Sequence, residues 1–398
     1  MVAPFSELAR CRRQLEELRE SHVALLDHFS EIGVLRKEAF LAQLHRHRFA
    51  VVKQNHPMPL EISLHDLTAC PHLIALTAFF AGASAVGAIK ATSRAISSAY
   101  SSAVRCAAKL HVWGGSTTAA FGSVEAFDAY EREWKAAQPI LQPKRRAAAA
   151  AIAGQLYLCG GQDQHLQPVD TVERFDPNLG VWEAAPFMLQ CRFGAAAAAL
   201  HRHLYVCGGR DGREILSSVE RFDPRAGVWE AAPPMLQSRS QVAAAPLCGE
   251  LYLCGGTDVH QILGLQILDS VERFNPILRI WEPAPSMLQS RFGAAAAALQ
   301  NRLYLCGGQD GYQQSISSVE CFNSEACTWE PAPPMTHSRF GAAATALAGK
   351  LYICGGRNGR HILSSVESYN PNEGTWDCLP CMLHARSHGG VAAVGSLW

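Results

Sequence analysis

From residue 109 onward the chain is written in short apolar runs separated by clusters of Gly, Pro, Asp, Asn and Ser. The stretch 291–335 shows the scheme: RFGAAAAAL, then RLYLCGG, then SSVECFN, then CTWEPAPPM. Leu303, Tyr304, Leu305 and Cys306 form an unbroken apolar run closed by Gly307-Gly308, which predicts a strand covered on both faces and ended by a turn. The alanine-rich piece before it suits a crowded strand, and Trp329 in the last piece offers a large surface to a wider gap. Four short strands make one unit.

The unit repeats. Gly-Gly pairs fall at 114–115, 160–161, 208–209, 255–256, 307–308 and 355–356, and each is followed by a tryptophan: Trp134, Trp182, Trp229, Trp281, Trp329 and Trp376. A period near fifty residues with these markers predicts a propeller, each unit being one blade packed between two neighbours. The last segment, ARSHGGVAAVGSLW, adds another first strand, whereas SSAYSSAVRCAAK before the first unit fits that pattern poorly. Arg386–Val394 is therefore expected to pair with blade one and join the two ends within one sheet, removing the open edges of a linear array. A truncated seventh blade is the alternative.

Composition narrows the function classes. Of 398 residues, Lys plus Arg number 35 and Asp plus Glu 35, so the net charge is zero, which argues against gripping nucleic acid or an anionic membrane by bulk charge. Charged residues are 18% and hydrophobic residues 48%, a balance that excludes wholesale disorder. Fourteen cysteines are too few for a disulfide scaffold.

Several motifs carry a resemblance. GGRDGREILSSVERFDPRAGVWEAAPPM and GGQDGYQQSISSVECFNSEACTWEPAPPM are similar to kelch repeats, especially those of kelch-like ubiquitin-ligase adaptors. The match includes the turns Asp211-Gly212 and Asp310-Gly311, with Asn358-Gly359 as a variant. It also includes a glutamate two residues before an aromatic, as in Glu173 and Phe175, Glu220 and Phe222, Glu272 and Phe274, Glu320 and Phe322, and Glu367 and Tyr369. Blade one departs most, with Trp113 in place of the cysteine and no Asp-Gly in its loop. The fold expected is an all-β six-bladed kelch β-propeller over residues 109–398, behind a small α-helical N-terminal region.

That region divides in two. Residues 1–58 read as an amphipathic helical segment: Leu8, Leu15, His22 and Phe29 with Cys11, Leu18, Leu25 and Ile32 keep a short 3-4 pattern. A helical hairpin packed on its own chain accounts for so few heptads better than a self-associating coiled coil. In residues 59–108 a Leu-rich stretch, Phe79-Phe80, a small-residue turn, Val86 and Ile89, then Ser93, Arg94 and Ile96 follow in an order that loosely resembles an F-box, without its usual acidic and proline start. Within them, Leu73–Ile89 carries no charge, but it is at the short limit of a membrane span and rich in Ala, Gly and Ser, so a buried helix pair is preferred. The first twenty residues lack the apolar core of a secretory signal, and a cytoplasmic location is expected.

The candidate partner-binding residues come from one register. Each repeat opens its first strand with a basic residue: Lys144, Arg192, Arg239, Arg291, Arg339 and Arg386. Two positions earlier stand Gln142, Gln190, Gln237, Gln289, His337 and His384. Six such positions must circle the propeller axis, where forked guanidiniums hold carboxylates bidentately and a concave mouth focuses the attraction. Kelch adaptors use arginines at this strand position for acidic peptides, so the resemblance implies an acidic peptide segment as partner. The competing reading has each arginine clamping loop carbonyls or the repeat glutamate. Two or three are expected to face ligand.

Other chemistry recedes. Cys159, Cys207, Cys254, Cys306 and Cys354 share one register before Gly-Gly, which favours packing over metal or redox work. Cys378-x-x-Cys381 has metal spacing but lacks a second pair, and its positions match Pro331 and Pro334 one repeat earlier. No P-loop, GxSxG or dinucleotide fingerprint is present, and no cofactor or enzyme activity is expected. The expected function is substrate recognition in a ubiquitin-ligase complex, with residues 59–108 meeting a cullin-linker protein. The alternative, also implied by the resemblance, is an actin-binding or scaffold role.

Overall fold

The computed structural model describes residues 109–394 apart from 118, 130, 178 and 261–263. The expectations for residues 1–108, including the amphipathic and F-box-like segments and the uncharged stretch 73–89, lie outside the described residues. Among the described residues there are six four-stranded antiparallel sheets, each a blade, and two short hairpins at Thr257–His260 with Gly264–Ile267 and Arg357–Asn358 with His361–Ile362.

Blade three shows why the repeat folds this way. Its inner strand Ala196–Leu200 pairs with His203–Cys207, then Val219–Asp223, then Val228–Ala232 at the outside. The second strand is buried on both faces because consecutive side chains belong to different interfaces. In blade two, Leu156 and Leu158 pack toward blade one, while Tyr157 and Cys159 pack toward blade three. Six apolar clusters form the core, and each straddles two adjacent blades. Each blade's tryptophan donates its indole N–H to a carbonyl at the end of the preceding blade; Trp229 Nε1 lies 2.8 Å from Pro186 O, and Trp134 Nε1 lies 2.9 Å from Pro380 O.

The last of these contacts crosses the seam between the chain's two ends. There Gly390–Val394 takes the inner position of blade one, antiparallel to Lys109–Trp113. Every other blade sets an alanine opposite the cysteine before Gly-Gly, as in Ala196 opposite Cys207. Blade one sets Gly390 opposite Trp113. A Cβ on Gly390 would stand 2.5 Å from the Trp113 ring, so the larger residue on one strand is accommodated by removing the side chain on its partner.

Candidate functional site

Antiparallel pairing puts the end of each second strand and the beginning of each first strand at the same end of the central channel. The six basic residues of the sequence pattern stand at that mouth, but their side chains turn into the blades. Lys144, Arg192, Arg239, Arg291, Arg339 and Arg386 are all buried, none more than 2% exposed. Each pairs with the glutamate of its own blade's third strand: Lys144 with Glu173 at 3.0 Å, Arg192 with Glu220 at 2.6 Å, Arg239 with Glu272 at 2.8 Å, Arg339 with Glu367 at 2.8 Å. Arg291 pairs with Glu320 in the same way, and Arg386 with Glu125 across the seam. The arginines also donate to the first Gly-Gly carbonyl and to a serine; Arg192 Nη1 lies 3.0 Å from both Gly208 O and Ser218 O.

The glutamates are held from the other side as well. Glu220 accepts from the backbone N–H groups of Leu189 at 2.7 Å and Gln190 at 3.1 Å. The expected ligand ring is thus corrected to an intramolecular clamp. It ties the incoming connection of each blade to that blade's turn and third strand. A carboxylate from a partner would have to displace one already desolvated and bonded.

The residues two positions earlier stay nearer the surface. Gln190, Gln237 and His384 are half-buried, and Gln289 and His337 are exposed. Gln190 reaches Asp211 at 3.4 Å and Gln237 reaches Asp258 at 3.1 Å, so both brace the loop between second and third strands. His337 Nδ1 lies 3.2 Å from Glu367 and His384 Nδ1 lies 3.0 Å from Glu125, leaving their outer edges at the rim.

The mouth itself is built one and two residues after each clamp. The second residue after the clamp is Arg146, Gly194, Gln241, Gly293, Gly341 or His388, and all six have a left-handed backbone, with φ between 53° and 63°. This conformation turns their peptide groups around the axis. Gly194 N donates to Arg146 O at 2.9 Å, Gln241 N to Gly194 O at 2.7 Å, and Gly293 N to Gln241 O at 2.9 Å. Gly341 N donates to Gly293 O at 2.8 Å, His388 N to Gly341 O at 2.8 Å, and Arg146 N to His388 O at 3.2 Å, closing an annulus of six hydrogen bonds. Glycine adopts this backbone without strain, whereas Arg146, Gln241 and His388 hold it at a cost of about 1–2 kcal/mol each.

The annulus is chemically lopsided. Arg145 is bridged to Gln162, Arg210 to Phe193 and Arg357 to Phe340, which brings three more arginines to the mouth beside Arg146. None of these four arginines forms an ion pair among the described residues. Burial pushes the Arg146 guanidinium down from its ordinary value, and Arg145, Arg210 and Arg357 push it further. Burial, then Arg146, Arg357 and Arg145, lower the His388 imidazole to about 3, so it is neutral at pH 7. His388 Nε2, Arg357 Nε and Gln241 Oε1 are buried there without a hydrogen-bond partner. Aromatic rings adjoin the arginines: Phe292 packs edge-on to Phe340 at 5.1 Å, and Phe340 on His388 at 4.9 Å.

The sequence pattern offers Arg210 and Arg357 as the first residues of two variable loops between second and third strands, 210–214 and 357–361, but counting the residue that recurs leaves out Arg145 and Arg146. The available signal was the residue that fails to recur, namely Arg146, Gln241 and His388 where three repeats carry glycine, and Arg210 and Arg357 directly after Gly-Gly. The cysteines show the opposite outcome. Burial pushes the Cys159, Cys207, Cys254 and Cys354 thiols up to about 12, and the Cys306 thiol up as well, which keeps them protonated and unreactive. Cys378 and Cys381 are exposed free thiols, and no group of metal-ligating side chains occurs among the described residues.

A closed six-bladed β-propeller whose blades share one clamp and one Gly-Gly turn defines a repeat protein that presents side chains around an axial mouth. The Kelch motif matches residues 143–188, 191–236, 238–288, 290–336 and 338–383, more than half of the chain, and the chain belongs to the Kelch-repeat family. Blade one, with Trp113 and its altered loop, lies outside the matched segments. The human Kelch-like protein 33 is 46% identical over 50 residues, a match that spans 13% of this chain and 9% of that protein. The solved structure of YjhT is similar in fold, with a TM-score of 0.57 at 14% identity, covering 67% of this chain and 93% of that one. Fold and family support a protein-interaction module.

Proposed function

We propose that the chain is a non-enzymatic recognition module that captures an acidic segment of a partner protein at the axial mouth. The observation that carries this reading is the set Arg145, Arg146, Arg210 and Arg357, gathered at one end of the channel without an acidic partner among the described residues. Arg146, which has lost water without gaining a counter-charge, and the like charges gathered beside it are stabilised by an incoming anion. Gln289, His337 and His384 at the rim supply further polar contacts. The reading extends to a cytoplasmic ubiquitin-ligase receptor in which residues 59–108 contact a cullin-linker protein. It is supported by the kelch-adaptor character of the repeats and by the F-box-like order of that segment.

The test is affinity capture from cell extract with the intact chain beside an Arg145→Ser/Arg146→Gly variant. Both substitutions introduce residues that other blades carry at those registers. A partner lost from the variant, together with a cullin-linker protein retained by it, supports both halves of the proposal. Equal partner capture by both proteins would sink the mouth reading, and co-sedimentation with actin filaments without a cullin-linker protein would sink the ligase reading.

A further inference from the structure

Resting on the reading of the mouth as the partner site, we propose that it selects a phosphorylated side chain rather than a single carboxylate. The annulus brings the four arginines from three blades onto one sector of a ring only six residues around. Arg146 lies on the annulus itself, and Arg145 is its neighbour in sequence. Arg210 comes from the blade on one side, and Arg357 from the far side of the seam blade that carries His388.

Charge decides between ligands. A carboxylate brings one negative charge and two oxygens, which satisfy one guanidinium fork. A phosphate monoester at neutral pH brings about two negative charges and three terminal oxygens in fixed tetrahedral geometry. Arginines drawn from three blades onto one sector match the second and leave the first undersupplied. Two carboxylates on neighbouring residues would supply the same charge only by being pressed together against their own repulsion. The local acids do not compete for the arginines. Asp163 is held by the backbone N–H groups of His165 at 2.8 Å and Gln167 at 2.9 Å, and Asp211 by those of Arg213 at 2.8 Å and Glu214 at 3.0 Å. The buried, unpartnered Arg357 Nε is a further donor on this sector.

The repeat supplies substitutions that keep the backbone. Arg146→Gly installs the residue that three other blades carry on the annulus and relieves its left-handed strain. Arg210→Gln and Arg357→Gln install the residue found at that register in Gln162 and Gln309. Binding of a capped Gly-phosphoserine-Gly tripeptide to the full chain is measured by calorimetry at constant ionic strength, beside the same tripeptide with Glu or Ser at its centre. The phosphorylated tripeptide is expected to bind at least ~10-fold more tightly than the Glu tripeptide, and each arginine substitution to weaken it ~10-fold, as for loss of a charge-assisted contact. Arg221→Gln, on the outer part of a blade, is expected to leave it unchanged. Equal or tighter binding of the Glu tripeptide overturns phosphate selection while leaving the acidic-partner reading standing. Binding of neither, or binding indifferent to all three substitutions, overturns both.

Discussion

Removing one clamp arginine is expected to be a stability lesion and not a binding lesion. In Arg291→Ala, Glu320 loses its cation, and the buried carbonyls of Gly307 and Ser318 lose donors at 3.0 and 3.1 Å. Glu320 keeps only the N–H groups of Leu288 at 2.7 Å and Gln289 at 3.1 Å. Stripping one partner from a buried ion pair costs about 3–5 kcal/mol. At roughly 2 °C per kcal/mol for a domain of this size, the melting temperature falls by about 6–10 °C. Calorimetric melts of Arg291→Ala, Glu320→Ala and the apolar double substitution Arg291→Met/Glu320→Leu measure this. The double variant is expected to recover much of the loss, because it leaves no charge stranded. A fall of under about 2 °C in Arg291→Ala, or a double variant as weak as the single ones, would show that the clamp is not what binds connection to blade.

Four further outcomes follow from the same geometry. Burial lowers His111 to about 4 and leaves its Nδ1 without a partner. The unfolded chain then binds a proton that the folded chain refuses, so stability is full above pH 6.5 and falls as pH drops toward 4, by about 2 kcal/mol at pH 5 from this residue; His111→Phe is expected to flatten the pH dependence of the melt by that amount. Maleimide labelling of the native propeller should modify Cys248, Cys327, Cys378 and Cys381 and spare the five thiols before Gly-Gly until denaturant is added; mass spectrometry reads the sites. Arg146→Gly is expected to raise the melting temperature slightly while weakening partner capture, a divergence visible when both are measured on one preparation. Truncation after Met382 removes the inner strand of blade one and the Arg386–Glu125 clamp, so the protein is expected to lose its cooperative melt.

How far the sequence discloses this protein depends on what repeats. Each structural element is specified six times, so the strands, the Gly-Gly turns and the tryptophans can be read by comparing the chain with itself. The clamp arginines and the glutamates of the third strands recur just as faithfully. Recurrence cannot say which way a side chain turns, however, and an arginine aimed at ligand or at its own blade leaves the same trace. The fold decides, because the Glu220 register on the third strand comes within 2.6 Å of the guanidinium of Arg192. The sector of Arg145, Arg146, Arg210 and Arg357 was hidden for the opposite reason. It is assembled from exceptions in separate repeats, and only ring closure, with Arg146 N against His388 O, makes neighbours of residues 242 positions apart.

The seam has a mechanical consequence. Lys109 and Val394 are directly opposite each other in blade one, the first residue of one strand against the last of the other. A pull applied through these two points separates the strands from one end and loads their hydrogen bonds one after another, as a zip opens. Sheets drawn lengthwise share the load across all their bonds at once and resist far better. A tether through both ends of the propeller would therefore open it at the Gly390–Val394 strand first, and the six-bond annulus would next break at His388, which holds one link to Gly341 and one to Arg146.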